Sequence, residues 1–130
     1  RSTLFPYTTL FRSTNRGRIG RLLTNEQLDL LGLPPIIIPN KSKFNEYYPA
    51  LNEYTKTGKV DKLTRLFASL LIEALYRRIT KLTAKKIIPV SDWAKNNNIN
   101  IQSATNKAIR GTIPAFRVRG HWMINRDYLK

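Results

Sequence analysis

The chain has 130 residues and a formal net charge of +15, with 23 lysines and arginines against 8 acidic residues. It contains no cysteine and one histidine, which excludes disulfides, thiolate metal sites and a histidine-rich metal centre. No apolar run reaches the ~20 residues that span a bilayer, so we expect a cytoplasmic protein without a membrane partner. The excess of positive charge favours polyanionic partners, such as nucleic acids and nucleotides.

The first thirteen residues, RSTLFPYTTLFRS, differ in character from the rest. They resemble, over their whole length, the translation of a common short-read sequencing adapter. The alternative is a short strand, since aromatic and aliphatic residues favour strands. We interpret the segment as an artefact and exclude it from the fold. The predicted division is an artefact-like segment at 1–13, a helical part at 14–82 and a second domain at 83–130.

A phosphate-binding pattern opens the helical part. Gly17 allows a ligand to approach the backbone closely, and Arg18 and Arg21 share one face of a helix. The start of a helix adds unpaired N–H groups and the positive end of the helix dipole. The pattern indicates a site for a phosphate chain, with solvated surface arginines as the alternative.

Residues 14–82 are predicted to be mostly helical. A first helix is expected over 17–31, and Gly32 favours its end. A buried extended segment follows at 36–38, and Pro49 kinks a second helix over 43–54 or delays its start. The apolar positions expected to pack in these two helices are Ile19, Leu22, Leu23, Leu30, Phe44, Tyr47, Tyr48 and Leu51.

The clearest element follows Asp61, which is predicted to act as an N-cap. Apolar residues keep a helical period for about twenty residues, and basic residues fall off that stripe. Packing is the favoured role of this helix, and contact of its basic face with nucleic acid is the alternative. The stripe consists of Leu63, Leu66, Phe67, Leu70, Leu71, Ala74, Leu75, Ile79 and Leu82.

Three runs between residues 17 and 51, namely GRIGRLL, GLPPIII and YYPAL, resemble the C-terminal half of a Fic (Fido) domain. The signature of that family is H-x-F-x-(D/E)-G-N-(G/K)-R-x-x-R. Gly17, Arg18 and Arg21 match its last part, and Asn15 matches the motif asparagine only if Arg16 is an insertion. The histidine, phenylalanine and acidic residue of the motif are absent from this chain.

The resemblance implies a truncated Fic-type helical bundle from a protein AMP-transferase, which moves AMP from ATP to a protein hydroxyl. It implies nucleotide contacts at Asn15, Gly17, Arg18 and Arg21. The family's catalytic base is the missing histidine, so no catalytic residue is assigned and the fragment is expected to be inactive. ATP, Mg²⁺ and the target protein belong to the intact parent, and we expect this fragment to bind no cofactor.

The second domain, at 83–130, carries 9 basic and 2 acidic residues. Ser91 is predicted to cap a helix over 92–97, and a second helix over 102–110 ends at Gly111. Two strands, over 113–119 and 121–124, are joined by a tight turn at Arg119-Gly120. Trp93, Phe116 and Trp122 are expected in the core.

The order of helix, turn, helix and β-hairpin is that of a small winged helix-turn-helix. The runs VSDWAK and RGTIPAFRVRGHWMI resemble the MerR/excisionase-type DNA-binding domain over nearly all of 87–128. Amides pair with adenine, and basic groups contact guanine or phosphate, while solvated helix surface is the alternative. The predicted DNA-binding residues are Gln102, Ser103, Asn106, Lys107, Arg110, Arg117 and Arg119, with His121 in the wing.

Two functions follow as hypotheses. The first is a fragment of a Fic-family protein adenylyltransferase with a C-terminal DNA-binding domain. The second is a non-enzymatic DNA-binding transcriptional regulator whose helical part binds a partner. Because about 45 residues form only a marginal core, we expect the second domain to dock on the long helix.

Overall fold

The computed structural model describes the backbone of residues 16–128 and the side chains of residues 20–42 and 44–128. The described chain is mostly helical and contains a small three-stranded antiparallel sheet. It falls into two compact units, which divide between Pro35 and Ile36. Within 16–128, no helix is both long and apolar enough to cross a bilayer.

The first unit contains helix α1, Arg16–Leu30. Its end is as predicted: Gly32 adopts a φ of +74°, and its N–H donates to the carbonyl of Asp29 at 2.9 Å. The expectation that Leu22 and Leu30 face a core was wrong, because they are 69% and 76% exposed. The described part of this unit offers a single helix, with no second layer that could cover them.

The second unit opens with the predicted extended segment, in which Ile36 and Ile38 are buried and Ile37 is exposed. Helix α2 is the single turn Asn40–Ser42, and a π-helical turn leads from it into the next helix. The alternation of buried and exposed side chains is that of an extended segment with one buried face.

The π-helical turn, Lys43–Tyr47, leads into helix α3, Tyr48–Thr57. Pro49 lies in the first turn of α3, which agrees with the predicted late start. Tyr47 is fully buried, whereas Phe44 is 73% exposed, contrary to the predicted stripe. A π turn holds extra residues per turn, so the helical spacing between these two aromatic residues is lost.

The long helix α4, Asp61–Thr83, packs on the rest of its unit through Leu66, Leu70 and Ala74. The predicted cap was wrong: Val60 holds the N-cap position without a side-chain hydrogen bond, and Asp61 is the first helical residue. A carboxylate in the first turn still favours the helix through its dipole. Ile79 and Leu82, which close the predicted apolar stripe, are exposed on the other side of α4, contrary to the expected packing.

The remaining elements are strand β1, Ile87–Pro89; helix α5, Val90–Asn96; helix α6, Ile101–Arg110; strand β2, Phe116–Val118; and strand β3, His121–Asn125. The sheet order is β1-β3-β2, and both pairings are antiparallel. Strand β1 was not predicted from the sequence, because three residues are too few to show a strand period.

The start of α5 also differs from the prediction. The helix begins at Val90, directly after Pro89, and Ser91 makes no N-cap because it already lies inside the helix. Pro89 holds the N-cap position, and it has no side-chain oxygen that could accept from the first N–H groups of α5.

Residues 87–128 share a core of their own, between the two helices and one face of the sheet. Trp93 is 1% exposed and Phe116 is fully buried, as predicted, and Trp122 is half-buried. The indole N–H of Trp93 donates to the carbonyl of Tyr128 at 3.0 Å, which satisfies the polar atom of this large buried side chain. The core consists of Ile88, Val90, Trp93, Ala94, Ala104, Ala108, Ile113, Ala115 and Ile124.

Candidate nucleic-acid interface

A short turn with several backbone hydrogen bonds joins α5 to α6. Asn98 adopts a φ of +55°, a conformation that asparagine tolerates better than most residues. The N–H of Ile99 then donates to the carbonyl of Ala94 at 2.8 Å. The side chain of Asn100 caps α6 by accepting from the N–H of Ser103 at 3.1 Å. These contacts fix the direction in which α6 leaves the turn.

Helix α6 has a buried side and an outward side. Ala104 and Ala108 are 0% and 2% exposed, and their small side chains let α6 lie close against the core. Four of the five residues predicted for α6, Gln102, Ser103, Asn106 and Arg110, lie on the outward side opposite the two alanines, and Lys107 lies at the edge of that side. Gln102, Ser103 and Arg110 are exposed there, and Asn106 and Lys107 are half-buried.

Two amides on this outward side are paired. The side-chain nitrogen of Gln102 donates to the side-chain oxygen of Asn106 at 3.3 Å, one helical turn further on. Residues four apart on a helix are neighbours, so the pair holds both amides in one row along α6. Amide groups in such a row can read the edge of adenine in a major groove.

The hairpin of β2 and β3 ends in the predicted tight turn. Arg119 and Gly120 have φ values of +50° and +82°, the signs of a type I′ turn. Val118 pairs with His121 across the turn. Arg119 and His121 are both exposed, so the tip of the hairpin carries a guanidinium and an imidazole into solvent.

Arg117 is placed differently from the other six predicted DNA-binding residues. Its guanidinium forms an ion pair with Glu73 of α4, with Nη2 and Nε at 2.6 and 2.9 Å from Oε1. The same guanidinium lies over the ring of Trp122, 4.9 Å from its centroid. The guanidinium of Arg117 is therefore engaged in intramolecular contacts.

The residues predicted to bind a nucleotide belong to the first unit. Asn15 lies outside the described residues, and Gly17 and Arg18 occupy the first turn of α1. Arg21 follows in the next turn and is half-buried. Residues 16–128 contain no cluster of three or more His, Asp or Glu side chains that could hold a metal ion.

Sequence reasoning missed the three α4 residues that contact the sheet and the end of α6. Arg77 and Glu73 bind Arg117, and Tyr76 binds Gly111. One signal was present in the sequence: Glu73 interrupts the apolar stripe of α4 between Leu71 and Ala74. A carboxylate in such a stripe requires a partner when the helix is buried.

The chain matches no family model, no curated protein and no solved structure. Its function must therefore be inferred from the chemistry and placement of its own residues.

Proposed function

We propose that this protein binds double-stranded DNA, and that residues 87–128 act as a winged helix-turn-helix. One observation carries the proposal: two amides, Ser103 and Arg110 lie on the side of α6 opposite its buried alanines, with Lys107 at the edge of that side. The charge of residues 83–130, 9 basic against 2 acidic, supports a polyanionic partner.

In this proposal α6 lies in the major groove. Gln102 and Asn106 contact base edges, since an amide pairs with adenine through two hydrogen bonds. Arg110 and Lys107 contact guanine or the phosphate backbone, and Ser103, near the helix start, donates to a phosphate oxygen. The dimensions of a major groove admit one α-helix in this way.

The hairpin of β2 and β3 is the wing. Its tip places Arg119 and His121 where they can contact a phosphate or enter a neighbouring minor groove. Arg117 supports the wing from behind through Glu73, so we assign its role to the shape of the wing.

The test is a selection from random-sequence duplexes with the full chain, followed by titrations of the selected duplex. Asn106→Ala should lower the affinity for the selected duplex about tenfold and relax the preference at one base position. Lys107→Ala should weaken binding to all sequences and lower the slope of log K against log salt by about 0.9.

Matched controls come from α3. Asn52→Ala and Lys56→Ala remove the same groups from exposed positions of a helix outside the proposed interface. Both should bind like the wild type. The proposal would be rejected if the selection enriched no sequence, or if the α3 and α6 variants lost affinity for the duplex equally.

A second candidate function is that of a Fic-family adenylyltransferase whose intact form carries this DNA-binding part. One observation favours it. Helix α4 packs within its unit through Leu66, Leu70 and Ala74 and leaves the apolar side chains of Ile79 and Leu82 exposed on its other side. Further helices of a larger bundle would cover these two side chains.

The test of this candidate is equilibrium binding of Mg²⁺-ATP to the wild type and to Arg21→Ala, with transfer of labelled AMP measured in parallel. Weak phosphate binding that the variant loses would support the site. We expect no AMP transfer from this chain, because the histidine of the family motif is absent from its sequence. Transfer by this chain would contradict that assignment.

A further inference from the structure

A buried carboxylate ties the long helix to the hairpin. Glu73 is 7% exposed and lies on the side of α4 that faces β2. Its Oε1 accepts from Nη2 and Nε of Arg117 at 2.6 and 2.9 Å, and its Oε2 accepts from the backbone N–H of Arg117 at 3.3 Å. The carboxylate thus holds both the side chain and the backbone of one residue of the wing.

A second arginine completes this contact. Nη2 of Arg77 donates to Oε2 of Glu73 at 3.2 Å and to the carbonyl of Arg117 at 3.3 Å. The Arg77 guanidinium also lies 5.8 Å from the ring centroid of Phe116. The two arginines neutralise the buried carboxylate and satisfy its oxygens, which is the condition for a buried ion pair to persist.

Beside this contact lies a cleft of about 570 Å³, with α4 on one side and α6 and the sheet on the other. The cleft is lined by Arg65 and Ser69 on one side and by Ile109 and Arg110 on the other. Polar contacts beside the cleft join α4 to the interface: Glu73 and Arg77 bind Arg117, and Tyr76 binds the carbonyl of Gly111. Among these contacts, those of Glu73 and Arg77 hold the wing.

We propose that Glu73 is a positioning residue for DNA binding, although it lies outside the segment that resembles a DNA-binding domain. Through Arg117 it fixes the angle of the wing relative to α6, and it withholds the Arg117 charge from DNA. The inference rests on the proposed DNA-binding function. A bidentate arginine contact suits this role because the planar fork defines an orientation, which a lysine cannot do.

The experiment compares Glu73→Gln and Arg117→Lys with the wild type, using the duplex selected by the full chain and an unrelated duplex of equal length. Each affinity is measured at a temperature where thermal unfolding shows the variant to be folded. The specificity ratio, which is the affinity for the selected duplex divided by that for the unrelated duplex, should fall roughly tenfold in both variants. A change of this size is expected when a charged group loses a hydrogen-bond partner. A merely structural loss would lower both affinities by the same factor and leave the ratio unchanged.

Arg117→Lys keeps the positive charge and loses the planar guanidinium. Because the side chain of Arg117 is more accessible than that of Glu73, this variant tests the proposal if Glu73→Gln does not fold. The matched control is Glu53→Gln, which breaks the exposed ion pair of Glu53 with Lys62 at 3.2 Å. Its specificity ratio should equal that of the wild type.

The outcomes separate the two proposals. A wild-type chain that shows no preference for any duplex rejects the DNA-binding function itself. If the wild type is selective but folded Glu73→Gln or Arg117→Lys has an unchanged specificity ratio, only the role of Glu73 is rejected.

Discussion

The hydroxyl of Tyr76 on α4 donates a hydrogen bond to the backbone carbonyl of Gly111, at the end of α6, over 2.9 Å. Gly111 closes α6 in the left-handed conformation, with a φ of +73°. The last carbonyls of a helix lack partners within the helix, and this contact supplies one from a distant element. The end of α6 is therefore tied to the same long helix that holds the wing.

Tyr76→Phe should lower the free energy of unfolding by about 1 kcal/mol, because the Gly111 carbonyl loses its partner in a half-buried position. Urea unfolding monitored by circular dichroism measures the change. Tyr54→Phe removes a hydroxyl from another half-buried tyrosine, on α3, and is expected to have a smaller effect. Equal losses in the two variants would mean that the contact to Gly111 does not contribute.

The local features of α6 and the hairpin could be predicted from the sequence, and the contacts between distant elements could not. Gly111 and the Arg119-Gly120 turn were predictable because their conformations depend on neighbouring residues. The partner of Glu73 lies 44 residues away, and no spacing rule connects a helix position to a strand position at that distance. Arg117 was consequently assigned to DNA on its charge, before its intramolecular partner was known.

Asn100→Ala should destabilise the second unit by about 1 kcal/mol, because the N–H of Ser103 loses the side chain that caps α6. The midpoint of urea unfolding reports the loss. Asn52→Ala makes the same exchange inside α3, where alanine has the better helix propensity, so it should be neutral or stabilising. A cap variant as stable as the wild type would contradict the assigned cap.

Ile124→Val should lower the free energy of unfolding by about 0.5–1.5 kcal/mol, since it removes a methylene from a fully buried side chain. Ile37→Val removes the same group from a side chain that is 60% exposed, and it should change stability much less. Thermal unfolding of both variants makes the comparison. A larger loss of stability in Ile37→Val than in Ile124→Val would contradict the placement of the core around Ile124.

Arg119→Asn separates the two roles of the hairpin tip. Asparagine adopts a positive φ at lower cost and Asn-Gly favours the type I′ turn, so stability should rise by about 0.5–1 kcal/mol. The same change removes a positive charge, so the slope of log K against log salt should fall by about 0.9 if Arg119 contacts a phosphate. Arg119→Lys keeps the charge and should keep the slope.

Local sequence patterns support the two predicted functions to different extents. The helical placement of the α6 residues could be predicted from their spacing alone, and the structure leaves Gln102, Ser103 and Arg110 exposed and Asn106 and Lys107 half-buried. The assignment of Gly17, Arg18 and Arg21 depends on a family motif whose histidine and acid this chain lacks. That part of the site stays a prediction, as does the transfer of AMP by an intact parent.

The most direct measurement is a titration of the wild-type chain with the selected duplex and an unrelated duplex at several salt concentrations, followed by fluorescence anisotropy. The proposal predicts that the selected duplex binds at least ~10³-fold more tightly. It also predicts that log K falls linearly with log salt, with a slope of several units. Equal affinity for the two duplexes, or affinity that does not depend on salt, would contradict sequence-specific DNA binding by this protein.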